Sequence, residues 1–461
     1  MIRVDGALRH PLCEGAPPVV LQYADDMLII MRAYPDGATR LCVLLDLFAT
    51  ATGLVINFAK STLIPMHVAP GVLEAVVAPF ECTVASFPQT YLGLPLSCDK
   101  LNIGDFAPML TKVDRYLAGW RARLLSSAGR LVLINAVLDS IPTYAMAAMR
   151  LPPTVVAKLD GLRRAFLWNV ADRASGAQCL VAWDRVCRAK AEGGLGVRAL
   201  GAQNDCLLLK MHHRLHSGVP SRWASWVWGV RAMLVPRLTP RAVEECAAVQ
   251  LLMEDCPPGD CPDTRSVTLC ATPGGGLSPR GVYTLAQFGG VESLSASFLW
   301  SSRAPSRIKF FGWLLSMSRV HTRDVLCRKT ILTAAEVECP CCDAVLETAD
   351  HLNFGCPFAV RFWRSIGVSP NGAAVGSLHL LDVSPAVGAA SPDAFVPLCC
   401  WRLWKRRNAV IFREDPQSLD AMLKPCRDDA VLWRARLKAV DRHHIDVWLS
   451  VLRTREGVSL M

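Results

Sequence analysis

Two short runs of β-branched and aliphatic residues, separated by two adjacent aspartates, dominate the N-terminal part of the chain. The runs cover Val19 to Ala24 and Met27 to Met31, and Asp25 and Asp26 lie between them. Strand-forming runs on either side of residues that favour turns indicate a β-hairpin. We therefore predict two antiparallel strands joined by a tight turn at Asp25 and Asp26.

Helical periodicity follows in three further stretches. Ala38 to Thr52 predicts an amphipathic helix that ends at Gly53, a residue suited to a left-handed cap. Leu131 to Ile141 predicts a second helix that Pro142 stops, and Pro153 opens a third. The residues predicted to form the apolar faces of these helices are Leu41, Leu44, Leu45 and Phe48, then Leu131, Ile134, Leu138 and Ile141, then Val155, Leu159, Leu162 and Phe166.

Shorter patterns complete the secondary-structure prediction. Gly53 to Ser61 predicts a short strand followed by a basic residue, and Phe87 to Leu96 forms another compact apolar segment. Proline, glycine and cysteine concentrate between Asp255 and Gly281, where we predict a linker. Strands near the N-terminus and helices elsewhere make the predicted fold class α+β.

The composition is that of a globular protein with room for two or three domains. The chain has 461 residues, of which 52% are hydrophobic and 20% charged. Its longest apolar run, Leu131 to Met149, contains Asp139 and Pro142 and suits a buried helix better than a membrane span. No basic and apolar leader precedes Val19, so the 19 scattered cysteines indicate a soluble protein of a reducing, intracellular compartment.

The net charge of +10 is concentrated in one helical region. Between Thr111 and Leu215 there are 16 lysines and arginines against 7 aspartates and glutamates. A basic helical face is compatible with contact to a phosphate backbone, and an ordinary solvated helix surface explains the charge equally well.

A cluster of metal-binding residue types lies in the C-terminal half. Cys339 and Cys342 are followed by His351 and Cys356, within 18 residues. Three thiolates and one imidazole suit tetrahedral zinc, with Cys341 as a possible alternative ligand; buried cysteines can also be small hydrophobes. Four protein ligands leave no position for water, so the site is predicted to be structural. The aromatic residues expected to pack against it are Phe310, Phe311, Trp313 and Phe362.

The two adjacent carboxylates at the hairpin tip allow two interpretations. Asp25 and Asp26 could hold divalent cations through oxygen ligands, as phosphoryl or nucleotidyl transfer requires. For an Asp-Asp turn taken alone, an ordinary solvated turn is the better interpretation, because turns recruit aspartate for backbone reasons.

Three ordered segments resemble the palm motifs of LINE-type (non-LTR) retrotransposon reverse transcriptases, particularly those of plants. They are QYADD at 22–26, GLVINFAKS at 53–61 and FPQTYLGLPLS at 87–97. The resemblance implies that Asp25 and Asp26 are catalytic ligands of Mg²⁺. It also assigns substrate-binding roles, at the incoming nucleotide and the primer end, to Tyr23, Lys60, Tyr91, Leu92 and Gly93.

The rest of the chain is similar to the same family. WRARLLSSAGRLVLINAVLDSIPTYAM at 120–146 and VAWDRVCRAKAEGGLGVRAL at 181–200 resemble its thumb and connection, and CPCC with ETADHLNFGCPFAVRFW resembles its zinc-binding domain. The resemblance implies RNA and DNA as template–primer partners, no membrane, and a nuclear or cytoplasmic location. The implied domains are a partial palm at 1–110, a helical thumb or connection at 111–254, a linker at 255–290, a small, mostly helical zinc-binding domain at 291–370 and a helical tail at 371–461.

One catalytic element of the family is missing from the sequence. A polymerase palm needs a further metal-binding aspartate far upstream of the hairpin, and the only aspartate before Asp25 is Asp5, in a segment that matches no such motif. The fingers are missing as well. We therefore expect a truncated palm that is inactive alone, with Mg²⁺ bound only in a complete site. The alternative is a non-catalytic, zinc-containing nucleic-acid-binding protein derived from a retrotransposon.

Overall fold

The computed structural model describes residues 6, 8–11, 17–120, 125–168, 178–216, 244, 247, 251, 270–272, 276–289, 291–342, 346–414 and 418–453. The chain divides into two compact units, residues 1–108 and 109–461. Helices predominate, and the described strands form only two-stranded sheets, so the predicted α+β class is confirmed in its coarse form. The strands are β1 (Val19–Tyr23), β2 (Asp26–Ile30), β3 (Thr62–Leu63), β4 (Thr83–Val84), β5 (Gln89–Tyr91), β6 (Leu94–Leu96), β7 (Val368–Ser369) and β8 (Asp382–Val383).

The helices are numbered in chain order. They are α1 (Pro35–Thr52), α2 (Pro70–Val77), α3 (Ala107–Trp120), α4 (Ser127–Leu133), α5 (Thr143–Ala148), α6 (Pro153–Trp168), α7 (Trp183–Cys187), α8 (Leu200–His216), α9 (Pro279–Ala286), α10 (Leu294–Ser301), α11 (Ser306–Ser316), α12 (Arg323–Arg328), α13 (Pro357–Ser365), α14 (Pro385–Gly388), α15 (Pro392–Arg413), α16 (Leu419–Arg434) and α17 (His443–Val451). No helix in the described ranges is long and apolar enough to cross a bilayer.

The predicted hairpin forms, but its turn lies one residue earlier than predicted. Tyr23 of β1 pairs directly with Asp26 of β2, which leaves Ala24 and Asp25 as the two-residue loop. Ala24 takes a positive φ of 51°, as the tight loops that fit the twist of antiparallel strands require. Asp26 is therefore the first residue of a strand, and of the two aspartates only Asp25 lies in the turn.

Helix α1 carries the small core of the first unit. Leu41, Leu44 and Leu45 are buried as predicted, together with Leu8, whereas Phe48 is half-buried. Gly53 ends the helix with a φ of 75°, and its N–H donates to the Ala49 carbonyl at 2.8 Å. The sequence predicts both the helix and its cap, because both depend on neighbouring residues only.

The strand predicted after Gly53 does not form. Leu54 and Val55 are 63% and 84% exposed, so these apolar side chains meet no partner strand. The chain instead turns at Phe58–Lys60, where the Asn57 side chain accepts a hydrogen bond from the Lys60 N–H at 3.1 Å. A run of β-branched and aliphatic residues forms a strand only where a neighbouring strand pairs with it, and no described strand pairs with residues 54–57.

In the second unit, the predicted helices follow α3. Helix α4 continues into a π-helical turn at Ile134–Leu138, and α5 starts directly after Pro142. Helix α6 buries Val155, Leu159 and Phe166, as predicted. The sequence did not reveal that α6 also buries a charged side chain.

That side chain is Arg163, which is 1% exposed. Its guanidinium pairs with Asp139 at 2.5 Å and with Asp160, and it donates to the Arg198 carbonyl at 3.0 and 3.1 Å. Buried charges persist only when they are paired and hydrogen-bonded, and this network meets that condition. Two of the basic residues counted as a possible nucleic-acid surface, Arg130 and Arg163, are thus inside the protein.

Most of the predicted linker at 255–290 lies outside the described residues. Residues 279–286 form helix α9, which packs against α8. The Tyr283 hydroxyl accepts a hydrogen bond from the Ala199 N–H at 2.8 Å. The range predicted as a linker therefore contains a helix that packs against α8.

A single hydrophobic core runs through the C-terminal part, from Ala304 to Leu452. It includes Phe362 of α13, Leu403 of α15 and Trp448 of α17. The regions predicted as a zinc-binding domain at 291–370 and a tail at 371–461 thus share one core. Hydrophobic packing between elements far apart in sequence decides this, and local patterns do not show it.

Of the four aromatic residues expected around the zinc segment, only Phe311 and Phe362 belong to this core. Phe310 packs against Trp168 and Trp313, with ring centroids at 6.3 and 5.6 Å. Trp313 donates to the Gly193 carbonyl at 2.8 Å. The expectation for Phe310 and Trp313 is wrong, because they lie on the face of α11 that contacts the preceding helical region.

Candidate metal centre

Two local turns position the four predicted zinc ligands. Cys339 and Cys342 flank a tight turn in which the Cys342 N–H donates to the Cys339 carbonyl at 3.3 Å. His351 begins a π-helical turn, and Cys356 ends it and caps α13. The Cys356 N–H donates to the His351 carbonyl at 2.6 Å. This π-helical turn therefore brings the side chains of His351 and Cys356 close to each other.

The turns bring the four side chains into one group. The candidate ligand atoms of Cys339, Cys342, His351 and Cys356 all lie within 4.8 Å of one another. Cys342 Sγ and His351 Nε2 are 3.3 Å apart. Sulfur ligands of tetrahedral zinc, with Zn–S bonds of about 2.3 Å, lie about 3.8 Å from each other, so the group fits such an ion. Cys339 and Cys356 are buried, as a structural site requires.

Cys341 lies beside this group but outside it. Its thiol is close to those of Cys339 and Cys356, and Arg406 Nη1 lies 3.5 Å from Cys341 Sγ. The geometry favours Cys342, which contacts His351, as the fourth ligand.

A buried ion pair holds residues 338–357, which contain the Cys/His group and are called the metal segment, against helix α15. Glu347 is fully buried, and both of its carboxylate oxygens accept hydrogen bonds from Arg407, at 2.9 and 2.5 Å. Glu347 also accepts from the Arg323 N–H at 2.9 Å, and Arg323 Nη1 donates to the Glu338 carbonyl at 2.9 Å. Sequence reasoning missed this pair because nothing local indicates which arginine a glutamate will meet 60 positions away.

The neighbouring arginine of α15, Arg406, also contacts the metal segment. Arg406 lies over the Phe358 ring, 3.3 Å from its centroid, and its guanidinium reaches Cys341. The side chain of Asn353, also fully buried, donates to the Ala349 carbonyl at 2.8 Å, and the Asn353 backbone carbonyl accepts from the Trp363 indole N–H at 2.6 Å. Helix α15 and Trp363 therefore contact the metal segment through both polar groups and an aromatic ring.

The residues assigned to polymerase chemistry are spread over separate elements. Tyr23, 68% exposed, and Asp26 are cross-strand partners in the β1–β2 hairpin, and the exposed Asp25 forms its loop. Lys60 is exposed at the end of the turn Phe58–Lys60. Tyr91, Leu92 and Gly93 lie in the β5–β6 hairpin, where Leu92 and Gly93 both have positive φ, of 50° and 75°.

Asp25 and Asp26 do not form a larger ligand group within the described part of the chain. The group of three or more cysteine, histidine or acidic side chains found there is the one at Cys339 to Cys356. Asp5 lies outside the described residues. The hairpin is likewise a sheet of two strands only, with no third described strand beside it.

Comparison with known proteins identifies the domain that contains the Cys/His group. Residues 278–363 match the family described as zinc-binding in reverse transcriptase. The chain therefore carries a reverse-transcriptase zinc-binding domain, as the resemblance in its sequence predicted. The match includes all four clustered side chains, and the Cys₃His geometry supports a structural zinc.

Two relatives come from Arabidopsis thaliana. One is a putative ribonuclease H protein, 40% identical over 131 residues, which are 28% of this chain and 21% of that protein. The other is an uncharacterized mitochondrial protein, 35% identical over 77 residues, 16% of this chain and 49% of that protein. The matched stretches thus span about a fifth and about half of these relatives.

Proposed function

We propose that the chain is the C-terminal part of a LINE-type RNA-directed DNA polymerase, retained as a nucleic-acid-binding unit with a structural zinc. The observation that carries this proposal is the Cys₃His group inside a reverse-transcriptase zinc-binding domain. Cys339, Cys342, His351 and Cys356 would hold the ion, which would supply folding energy rather than chemistry. A nuclear or cytoplasmic location belongs to the same proposal.

The basic helical region supports nucleic acid as the partner. Most of its described lysines and arginines are exposed, so they can neutralise phosphates. RNA and DNA are therefore the proposed partners, contacted through their backbones. The exposed residues are Lys112, Arg115, Arg150, Lys158, Arg185, Arg188, Lys190, Arg198, Lys210 and Arg214.

Catalysis by the chain alone is not part of the proposal. Two-metal nucleotidyl transfer needs carboxylates that converge on both ions, and Asp25 and Asp26 are exposed at a hairpin tip. We expect no primer extension on an RNA template with a DNA primer, Mg²⁺ and deoxynucleotides. Robust synthesis that Asp25→Asn abolishes, and that Asp46→Asn on the exposed face of α1 leaves intact, would show that the chain is a complete polymerase.

Binding tests the alternative, a non-catalytic nucleic-acid-binding protein derived from a retrotransposon. We expect the purified chain to bind RNA and DNA oligonucleotides, with log affinity falling linearly as log salt rises because counterions are released from the phosphates. Fluorescence anisotropy over a salt series measures this slope. Undetectable affinity for single-stranded and duplex nucleic acid at low salt would refute both the partner assignment and the alternative.

A further inference from the structure

Helix α15 presents cations and aromatic rings together on its exposed side. Trp401, Lys405 and Phe412 are spaced four and seven residues apart, which places them on one face of a helix. From Trp401 to Phe412 this face extends about 16 Å, at about 1.5 Å per residue. Lys405 is exposed and Phe412 is 77% exposed, whereas the opposite face holds the buried Leu403 and Arg407.

Trp401 orders two of the cations on this face. Arg307 of α11 lies over its ring, with Cζ 5.5 Å from the centroid, and Lys405 Nζ lies 5.7 Å from the same centroid. The indole is itself fixed by an edge-on contact with the core residue Phe311, at 4.9 Å between centroids. Cation–π contacts thus hold a lysine and an arginine from two different helices at defined positions.

These cations lack acidic partners of their own. Within the described ranges, acids pair with Arg402 and Arg407 of α15, but Arg307, Lys405 and Arg413, the exposed last residue of α15, form no ion pair. Burial and the like charges around it lower the pKa of Lys405, with Asp429 acting against them. Crowded like charges repel one another, and a bound polyanion would relieve that repulsion.

We propose that this face of α15, with Arg307 from α11, is a binding surface for single-stranded nucleic acid. Arg307, Lys405 and Arg413 contact successive phosphates, and Phe412 offers a ring on which a base stacks. Exposed aromatic rings favour single strands, because duplex bases are already stacked within the helix. The inference rests on the proposed function and names the surface through which the zinc module would take part in it.

The test uses the full zinc-loaded chain and fluorescein-labelled single-stranded oligouridylate and oligothymidylate, with a duplex of equal length for comparison. The double variant Arg307→Ala/Lys405→Ala removes two phosphate contacts, so the slope of log affinity against log salt should fall by about 1.4, at about 0.7 per contact on single strands. Phe412→Ala should weaken single-strand binding about tenfold and leave duplex binding nearly unchanged.

Lys438→Ala is the matched control, because it removes an exposed lysine from the turn after α16, away from the cations around Lys405. It should leave the slope and the affinity nearly unchanged. Zinc content and circular dichroism of each variant verify folding. If the wild-type chain binds but the α15 and Lys438 variants behave alike, the surface is elsewhere and the inference is wrong.

Two further outcomes separate the inference from the proposed function. Equal affinity for polyglutamate, with no effect of Phe412→Ala on any probe, would mean a general anion surface and overturn the inference. No binding of the wild-type chain to any nucleic acid would overturn the proposed function as well.

Discussion

Replacing His351 by alanine is expected to remove most of the bound zinc and to open the segment around Cys339 to Cys356. Metal ligation contributes on the order of 10 kcal/mol to the folding of small zinc modules, more than any other single interaction expected in this chain. The segment from Glu338 to Pro357 has few large apolar side chains, so it depends on that contribution. Metal analysis should show about one zinc in the wild-type chain and a large loss in His351→Ala.

Limited trypsin digestion of the full chain locates the change. Cleavage after Arg328, Lys329 and Arg361, which flank the metal segment, should accelerate in His351→Ala and in the wild-type chain treated with a chelator. Sites in residues 19–215 should be cut at unchanged rates, because none of the four candidate ligands lies there and α1 packs around a separate core. His443→Ala, at an exposed position of α17, serves as the control. A His351→Ala chain with full zinc content, or a chelator without effect on digestion, would contradict a structural zinc site.

Replacing Arg407 by methionine should destabilise the C-terminal part of the chain by about 3–5 kcal/mol. The variant removes the guanidinium that neutralises the fully buried Glu347 carboxylate. Methionine retains much of the arginine side-chain volume. Removing one member of a buried pair costs more than the pair contributes, because the remaining charge is desolvated. Denaturant unfolding followed by tryptophan fluorescence measures the loss.

Two further variants isolate the cause. Lys405→Met removes a positive charge from an exposed position of the same helix and should change the free energy of unfolding by less than about 0.5 kcal/mol. Adding Glu347→Gln to Arg407→Met removes the orphaned charge and should recover part of the loss. A loss below about 1 kcal/mol in Arg407→Met would mean that the buried pair contributes little to stability.

The Cys/His group is a feature that residue spacing alone can predict. Its four side chains lie within 18 residues, and two local turns suffice to gather them, so the sequence predicts the group. The polymerase residues extend from Tyr23 to Gly93 on separate elements, and only a resemblance connects them. Local chemistry predicts neighbours, whereas long-range convergence depends on packing.

The sequence itself determined the hairpin arms, helices α1, α4 and α6, the cap at Gly53 and the Cys/His group, since each depends on residues a few positions apart. Only the tertiary structure decided that the hairpin turns at Ala24 and Asp25, that Arg163 and Arg407 are buried, and that Trp313 reaches Gly193, 120 residues away. These outcomes require burial of side chains against partners remote in the chain, and such burial follows from the packed core as a whole.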